Sequence, residues 1–296
     1  MMAIAASSNR SVHPLIHAAT DRLQAAGLEH ARYEAEWLLG GLLGVKPLEL
    51  YLREEPIPPR LIERFRSQID ARIATGMPLQ YLLGETEFYG MRVAVVPGVF
   101  IPRPETEAIV EAALGALRER QQQLARGLRL LDLGTGSGCI AVTLAHALPT
   151  CVVVGVEETW EALQIARQNV LRHGLASRVW LVQGSWGEAM SGGFDGIISN
   201  PPYVPCDQVE RLPSDVRHEP RVSLDGGEDG MRELRQLITQ APRLLAQGGL
   251  MVLECGEGHV GTLIRVASAS SWVKRVSPLV DLAARPRGVV IRRHGD

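Results

Sequence analysis

Five apolar runs of strand length, LRLLDL, CVVVGV, RVWLVQG, FDGIIS and GLMVLEC, succeed one another in the second part of the chain, and helical patterns separate most of them. Strands that are apolar throughout and joined by helical crossovers call for a parallel sheet covered on both faces. An open α/β sheet binds ligands beyond the carboxyl ends of its strands, so chemistry is expected in the residues that follow each run. The last runs, SWVKRVSPLV and RGVVIRR, read as a closing pair of strands.

A chain of 296 residues has room for a second unit ahead of this sheet. Leu15, Ile16, Ala19, Leu23 and Ala26 recur at helical spacing and stop at Gly27. Trp37, Leu38, Leu42 and Leu43, ended by Gly44, predict a second helix. Beyond the proline-rich break EEPIPPR, the stripe Leu61, Phe65, Ile69 and Ile73 predicts a third. These are core positions of a small bundle, and no catalytic constellation occurs among them. From Leu79 to Val96 the short runs QYLLG, EFYG and MRVAVV, punctuated by glycines, read as a hairpin. Pro104 then suits the first turn of a helix, with Glu105 and Glu107 at its positive end and Ile109, Val110, Ala113, Leu114 and Leu117 along one face.

Composition narrows the function classes. Apolar residues at 46% and charged residues at 22% support a buried core and exclude wholesale disorder. Lys+Arg at 31 against Asp+Glu at 33 leaves a net charge of −2, against a protein that coats nucleic acid. Cys139, Cys151, Cys206 and Cys255 form no C-x-x-C pair and no zinc-spaced cluster, so no metal site is expected and a reducing cytoplasm fits. The opening MMAIAASSNR lacks the pattern of a secretory signal. The uncharged stretch from Leu133 to Val156 contains glycines, His146 and Pro149, and reads as loop, helix, turn and strand rather than a membrane span. The expectation is a soluble cytoplasmic protein with no membrane contact.

LLDLGTGSGCIAV places Gly134, Gly136 and Gly138 between a strand and a helix. Glycines permit the tight turn and the close approach of a ligand to the main chain, while the helix N-terminus offers N–H groups to an anionic group. Two cofactors compete for this loop. GSGCIA satisfies the dinucleotide pattern G-x-G-x-x-A, whereas DLGTGSG resembles the D-x-G-x-G-x-G loop of S-adenosylmethionine-dependent methyltransferases. In either case Glu157, at the end of the next strand, is suited to accept ribose hydroxyls. A structural glycine turn is the plainer alternative, and the loop alone does not choose.

FDGIISNPPYV supplies the choice. It is a buried strand ending in Asn200, Pro201, Pro202 and Tyr203, a tetrapeptide expected by chance in on the order of one chain in a thousand. A planar amide or exocyclic amino nitrogen is a poor nucleophile because its lone pair is delocalised. The Asn200 side-chain carbonyl and the Pro201 main-chain carbonyl are suited to accept its two hydrogens and aim the lone pair at a sulfonium methyl. Pro201 and Pro202 stiffen the turn and lack competing N–H groups. Tyr203 is suited to pack flat on the planar group, or else belongs to the core. Positioning and electrostatics carry such a reaction, and no general base is needed before attack. Methyl transfer is therefore preferred to hydride transfer.

With GMPLQYLLGETEFYG, VFIPRPETE, DLGTGSG, ISNPPYV and HEPRVSLDGGEDGM all present, the chain resembles the HemK/PrmC family, protein-glutamine methyltransferases that modify peptide-chain release factors, over nearly its whole length. The resemblance implies an α/β fold, a seven-stranded Rossmann-like class I methyltransferase domain at 101–296. It also implies a small N-terminal helical-bundle domain at 1–77 that docks the release factor, and a β-hairpin linker at 78–100. S-adenosyl-L-methionine is the implied cofactor, with Gly134, Thr135, Gly136, Ser137 and Gly138 around its methionine and ribose, Glu157 at the ribose and Trp186 by the adenine. Asn200, Pro201, Pro202 and Tyr203 are the implied holders of the substrate glutamine, which lies in a GGQ motif. Two positions depart from the family pattern: Glu157, beside Glu158, stands where Asp is usual, and Ser185 stands where many relatives have Asp before Trp186.

Rival functions are a glutamine methyltransferase acting on a large-subunit ribosomal protein, a nucleic-acid amino methyltransferase, an NAD-dependent oxidoreductase and a non-catalytic binding module. The helical region lacks a basic stripe, so no direct sequence-specific nucleic-acid binding is expected. Phe100 and Arg103 are candidates for the active-site mouth. His218 and Glu219 lie in a long loop suited to close over substrate, with His218 read as an exposed loop residue. Arg285, Arg287, Arg292 and Arg293 are read as a solvated strand edge in preference to a partner contact.

Overall fold

The apolar stripes at the front of the chain coil as their spacing predicts. In the computed structural model, which describes residues 11–281 and 283–295, helices α1 (Val12–Ala25), α2 (Ala31–Leu43), α3 (Pro47–Leu50), α4 (Pro59–Thr75) and α5 (Leu79–Leu83) belong to one compact unit. MMAIAASSNR, and with it the start of the expected 1–77 domain, lies outside the described residues. Leu15, Leu23, Leu38, Phe65 and Ile69 meet in this unit's core. Arg72 and Glu34 form a buried two-pronged ion pair at 2.7 and 2.8 Å.

The unit runs to Glu85 and also takes in Ser214–His218. Its extension past residue 77 has a local cause. QYLL, read as part of a hairpin, coils into α5, because Leu79, Leu82 and Leu83 recur at helical spacing against the bundle core. Gly84, at φ 79°, ends that helix.

The second unit holds Thr86–Pro213 and the chain from Glu219 onward. The hairpin is β1 (Glu85–Phe88) and β2 (Met91–Ala94), turned by Tyr89 and Gly90 at φ 51° and 73°, the left-handed pair that a two-residue hairpin loop requires. The Tyr89 N–H donates to Glu107 Oε1 at 2.9 Å, and its hydroxyl donates to Glu111, so the turn is tied to helix α6 (Pro104–Gln122).

The main sheet comprises β3 (Arg129–Leu133), β4 (Val152–Glu157), β5 (Val179–Gln183), β6 (Phe194–Ser199), β7 (Leu245–Glu254), β8 (Val273–Val280) and β9 (Pro286–Arg293), in the order β5-β4-β3-β6-β7-β9-β8. The five apolar runs pair in parallel, with Leu131 opposite Val154 on one side and Ile197 on the other. Successive side chains alternate between two cores. Leu130, Ile198 and Val252 pack in one with residues of α6 and α7 (Cys139–Ala147), and Leu131, Ile197 and Met251 pack in the other with residues of α9 (Arg232–Leu244) and α10 (Val260–Ser268). Helix α8 (Trp160–Arg172) follows β4 and adds Val170 to the first core.

The last two runs do pair, but β9 is no edge: it slots between β7 and β8, antiparallel to both. Its arginines are separately engaged. Arg287 bonds Asp281 at 3.0 Å, Arg292 bonds Glu119 at 2.8 Å, and Arg293 donates to the Pro242 carbonyl at 2.8 Å. Among the described residues no helix is long and apolar enough to cross a membrane, and the four cysteines are free.

Candidate active site

Beyond β3 the chain turns through Gly134, Gly136 and Gly138, all with left-handed φ, and enters α7 at Cys139. Two of these glycines are required by contact as well as by φ. A Cβ on Gly138 would lie 3.1 Å from the Ala166 methyl, and one on Gly134 would lie 3.1 Å from the Trp186 ring. The N–H groups of Gly134 and Thr135 both donate to the Val156 carbonyl at 2.9 Å, which fastens the loop to β4. Asp132, fully buried beneath the loop, accepts the Thr135 hydroxyl at 2.6 Å and the Ala141 N–H at 3.1 Å through one oxygen. Its other oxygen has no partner, and burial pushes the carboxyl up to about 7.

Glu157 ends β4 with its carboxylate turned onto the loop. Oε2 accepts the Gly136 N–H at 2.9 Å, and Oε1 accepts the Thr159 N–H at 2.9 Å and its hydroxyl at 3.0 Å. Glu158 lines the same pocket. Trp186 takes a left-handed φ of 46°, and its indole N–H donates to Glu233 Oε2 at 2.8 Å.

The tetrapeptide leaves the end of β6. Asn200 Nδ2 donates to Thr106 Oγ1 at 3.1 Å. Pro201 is buried, and Pro202 lines the pocket. Tyr203 packs instead against the core beneath α9, with its hydroxyl donating to Glu254 Oε1 at 3.3 Å, and burial pushes its pKa upward. Tyr203 is partly buried and is not among the residues lining the pocket.

One pocket of about 940 Å³, counting its open mouth, gathers most of these groups. The glycine loop, Glu157 and Trp186 line one part of it, and Phe100, Asn200 and Pro202 also face it. Pro220 and Val222 add walls from the long loop. That loop is fixed by Glu219, which accepts the Ile101 N–H at 3.1 Å and the Arg103 guanidinium. Arg103 in turn lies over the Phe100 ring, 5.1 Å from its centre. His218 groups with the helical unit, where its Nε2 meets the Thr75 carbonyl at 2.7 Å.

Four residues that support the site were not singled out from sequence. Thr106 and Glu254 stand behind Asn200 and Tyr203, and Glu233 holds Trp186. Buried Asn169 bonds the Ser137 carbonyl at 2.8 Å and both backbone groups of Ala94. Thr106 sits inside the IPRPETE segment, and Glu254 is an acid at the end of an otherwise apolar run; those are the signals that were there to read.

Comparison with known proteins places this geometry in context. Residues 14–84 match the family described as PrmC N-terminal domain, and residues 96–212 match the family described as Methyltransferase small domain. The chain is 42% identical over 249 residues to the release factor glutamine methyltransferase of Geobacter sulfurreducens, covering 83% of this chain and 84% of that one. It is 41% identical over 271 residues to the protein of the same name from Moorella thermoacetica, covering 91% and 94%. The counterpart from Deinococcus radiodurans is 37% identical, covering 95% and 98%. Among solved structures, the hMettl16 catalytic domain in complex with MAT2A 3′UTR hairpin 6 superposes with a TM-score of 0.56 at 14% identity, covering 80% of this chain and 83% of that one. A methyltransferase from Pyrococcus furiosus gives 0.50 at 20% identity, covering 79% and 98%. These two likenesses concern the fold, which is that of class I methyltransferases.

Proposed function

The chain belongs to the release factor glutamine methyltransferase family, and from that premise we propose how its pocket serves the reaction. The enzyme methylates the side-chain amide nitrogen of a release-factor glutamine, and we assign that glutamine to the GGQ motif. The observation that carries the reading is a single cavity lined both by the glycine loop with Glu157 and by Asn200 with Pro202. A donor site and an acceptor site that share one cavity are what a direct transfer needs.

S-adenosyl-L-methionine is the donor we place there, and it supplies an activated methyl group. The residues suit it. The opening turn of α7 offers N–H groups to the carboxylate, with Cys139 and Ile140 on the pocket wall. Glu157 Oε1 is filled by its two bonds from Thr159, while Oε2 accepts one bond and keeps a lone pair for a ribose hydroxyl. Trp186, held by Glu233, is the side chain assigned to the adenine.

At the acceptor end, Asn200 Oδ1 and the Pro201 carbonyl receive the two amide hydrogens of the substrate. Both oxygens sit on a stiff turn, so the nitrogen is oriented without a reorganisation cost at the moment of reaction. The positive charge that develops on the substrate amide is relieved by loss of a proton after transfer. Phe100, Pro202 and Val222 are among the apolar walls of this pocket. The helical unit is assigned the docking of the release factor. Nothing in this reading calls for sequence-specific contact with nucleic acid or for a membrane.

The test incubates the purified chain with S-adenosyl-L-methionine and a release factor, then maps the product peptides by mass spectrometry. A gain of one methyl on the GGQ glutamine is expected. Methylation elsewhere in the release factor, or of a ribosomal protein in its place, would refute the assignment.

A further inference from the structure

Asparagine is a pseudo-symmetric side chain, and its two orientations differ only by exchange of oxygen and NH₂. For Asn200 the exchange matters. With Oδ1 toward the pocket it accepts a substrate N–H; with Nδ2 there, two NH₂ groups face each other and an acceptor is lost. Something must hold the productive orientation.

We propose that Thr106 and Glu254 are positioning residues that set the polarity of the Asn200 amide. The inference rests on the reading of Asn200 as acceptor for the substrate amide. Asn200 Nδ2 meets the Thr106 hydroxyl at 3.1 Å. A hydroxyl both donates and accepts, so alone it would tolerate either amide orientation. Its direction comes from its other neighbour, the Glu254 carboxyl, with which it interacts. Thr106 and Glu254 are each 1% exposed, so water does not compete for either group. An ionised carboxylate only accepts. It draws the Thr106 O–H toward itself, leaving Thr106 Oγ1 to take the Nδ2 hydrogen and Asn200 Oδ1 to face the pocket. Tyr203 donates to the same carboxylate, whose Oε2 is buried without a hydrogen-bond partner and has capacity to spare. Both ends of the tetrapeptide are thereby referred to one acid.

The surroundings of Glu254 make this arrangement sensitive to pH. Burial pushes its carboxyl up to about 7; Glu105 on α6 adds to the rise, while Thr106, Tyr203 and Arg287 on β9 oppose it. Arg287 is itself shared with Glu105 at 3.6 Å. The neighbouring thiols Cys139 and Cys255 are pushed up to about 12 by burial and stay neutral. Once protonated, Glu254 can donate, Thr106 loses its enforced direction, and the Asn200 amide is free to turn over. Turnover therefore falls as the pH drops through the region of 7.

The experiment measures kcat, KM for the release factor and cofactor Kd for Thr106→Val, Thr106→Ser, Glu254→Gln and Asn200→Ala, with kcat followed from pH 5.5 to 9. Thr106→Val, which keeps the shape and removes the hydroxyl, is expected to lose about tenfold or more in kcat with cofactor Kd within about twofold, and Thr106→Ser to recover most of that loss. The acidic limb is expected in the wild type and absent in Glu254→Gln. Thr106→Val with kcat within about twofold of wild type, while Asn200→Ala is inactive, overturns the polarity assignment and spares the reading of Asn200. An acidic limb that persists in Glu254→Gln overturns it as well. Full activity in Asn200→Ala removes the underlying reading and the inference with it.

Discussion

The Trp186 indole N–H donates to Glu233 Oε2 at 2.8 Å while its ring lies against Gly134, so an acid at the start of α9 fixes an aromatic wall of the pocket. The left-handed backbone of Trp186 is sustained by that bond, because a bulky residue adopts such a φ only where its surroundings compel it. Glu233→Ala is expected to weaken cofactor binding about three- to thirtyfold, the effect of losing one charge-assisted hydrogen bond, with less change in KM for the release factor. Calorimetric titration with S-adenosyl-L-methionine measures it; an unaltered Kd would show that the ring is held by packing alone.

Glu157 presents a second binding prediction. Its carboxylate engages Gly136 and Thr159 and retains one lone pair, on Oε2. Glu157→Ala is expected to raise cofactor Kd by about tenfold or more, with a smaller effect on kcat at saturating cofactor. Should affinity stay unchanged, Glu158, which lines the same pocket, is the next residue to replace.

Glu219 is nearly buried and holds Ile101 and Arg103, more than a hundred residues earlier in the chain. Glu219→Ala strands the Ile101 N–H and releases the long loop. A loss of about 1–3 kcal/mol in unfolding free energy is expected, together with faster amide exchange around Pro220–Leu224. Hydrogen-exchange mass spectrometry reads the second effect, and unchanged exchange there would mean the loop has another anchor.

Two buried carboxyls give the protein an unusual stability profile. Asp132 and Glu254 are each pushed up to about 7 by burial, well above their unfolded values. Between those values and 7 the folded state binds more protons than the unfolded one, so these groups lower stability as pH rises through the window. Asp229, pulled down to about 2 by Arg235, and Asp281, lowered by the Arg285 N–H and by Arg287, act only at the acid end, where their contribution fades. In the absence of cofactor, Tm is expected to fall from pH 5.5 to 8, and Asp132→Asn to flatten that slope. Thermal melts across the range decide the matter; a Tm that climbs with pH would contradict it.

Much of this architecture is legible in the sequence because burial on both sides leaves strands such as FDGIIS dominated by apolar residues, and β6 spans that run, Phe194–Ser199. QYLL misleads because four residues are too few to display a period; only packing against the bundle makes it helical. The interior place of β9 is likewise invisible, since a short apolar run flanked by arginines suits an edge strand equally well and its arginines find partners only in the folded state. Glycines and the NPPY turn advertise themselves through residue type. Thr106, Glu233 and Glu254 do not, because their significance lies in a neighbour dozens of positions away.

The insertion of β9 between β7 and β8 bears on how the protein is made. Among the described residues β8 pairs only with β9, and β7 has β9 as its neighbour on that side. A nascent chain that has just delivered β8 therefore has nowhere to put it, and the half-built layer exposes an open rim with free N–H and carbonyl groups. The keystone follows β8 along the chain. A chain that stops short of β9 is left with two unpaired margins, each a template for association with another strand.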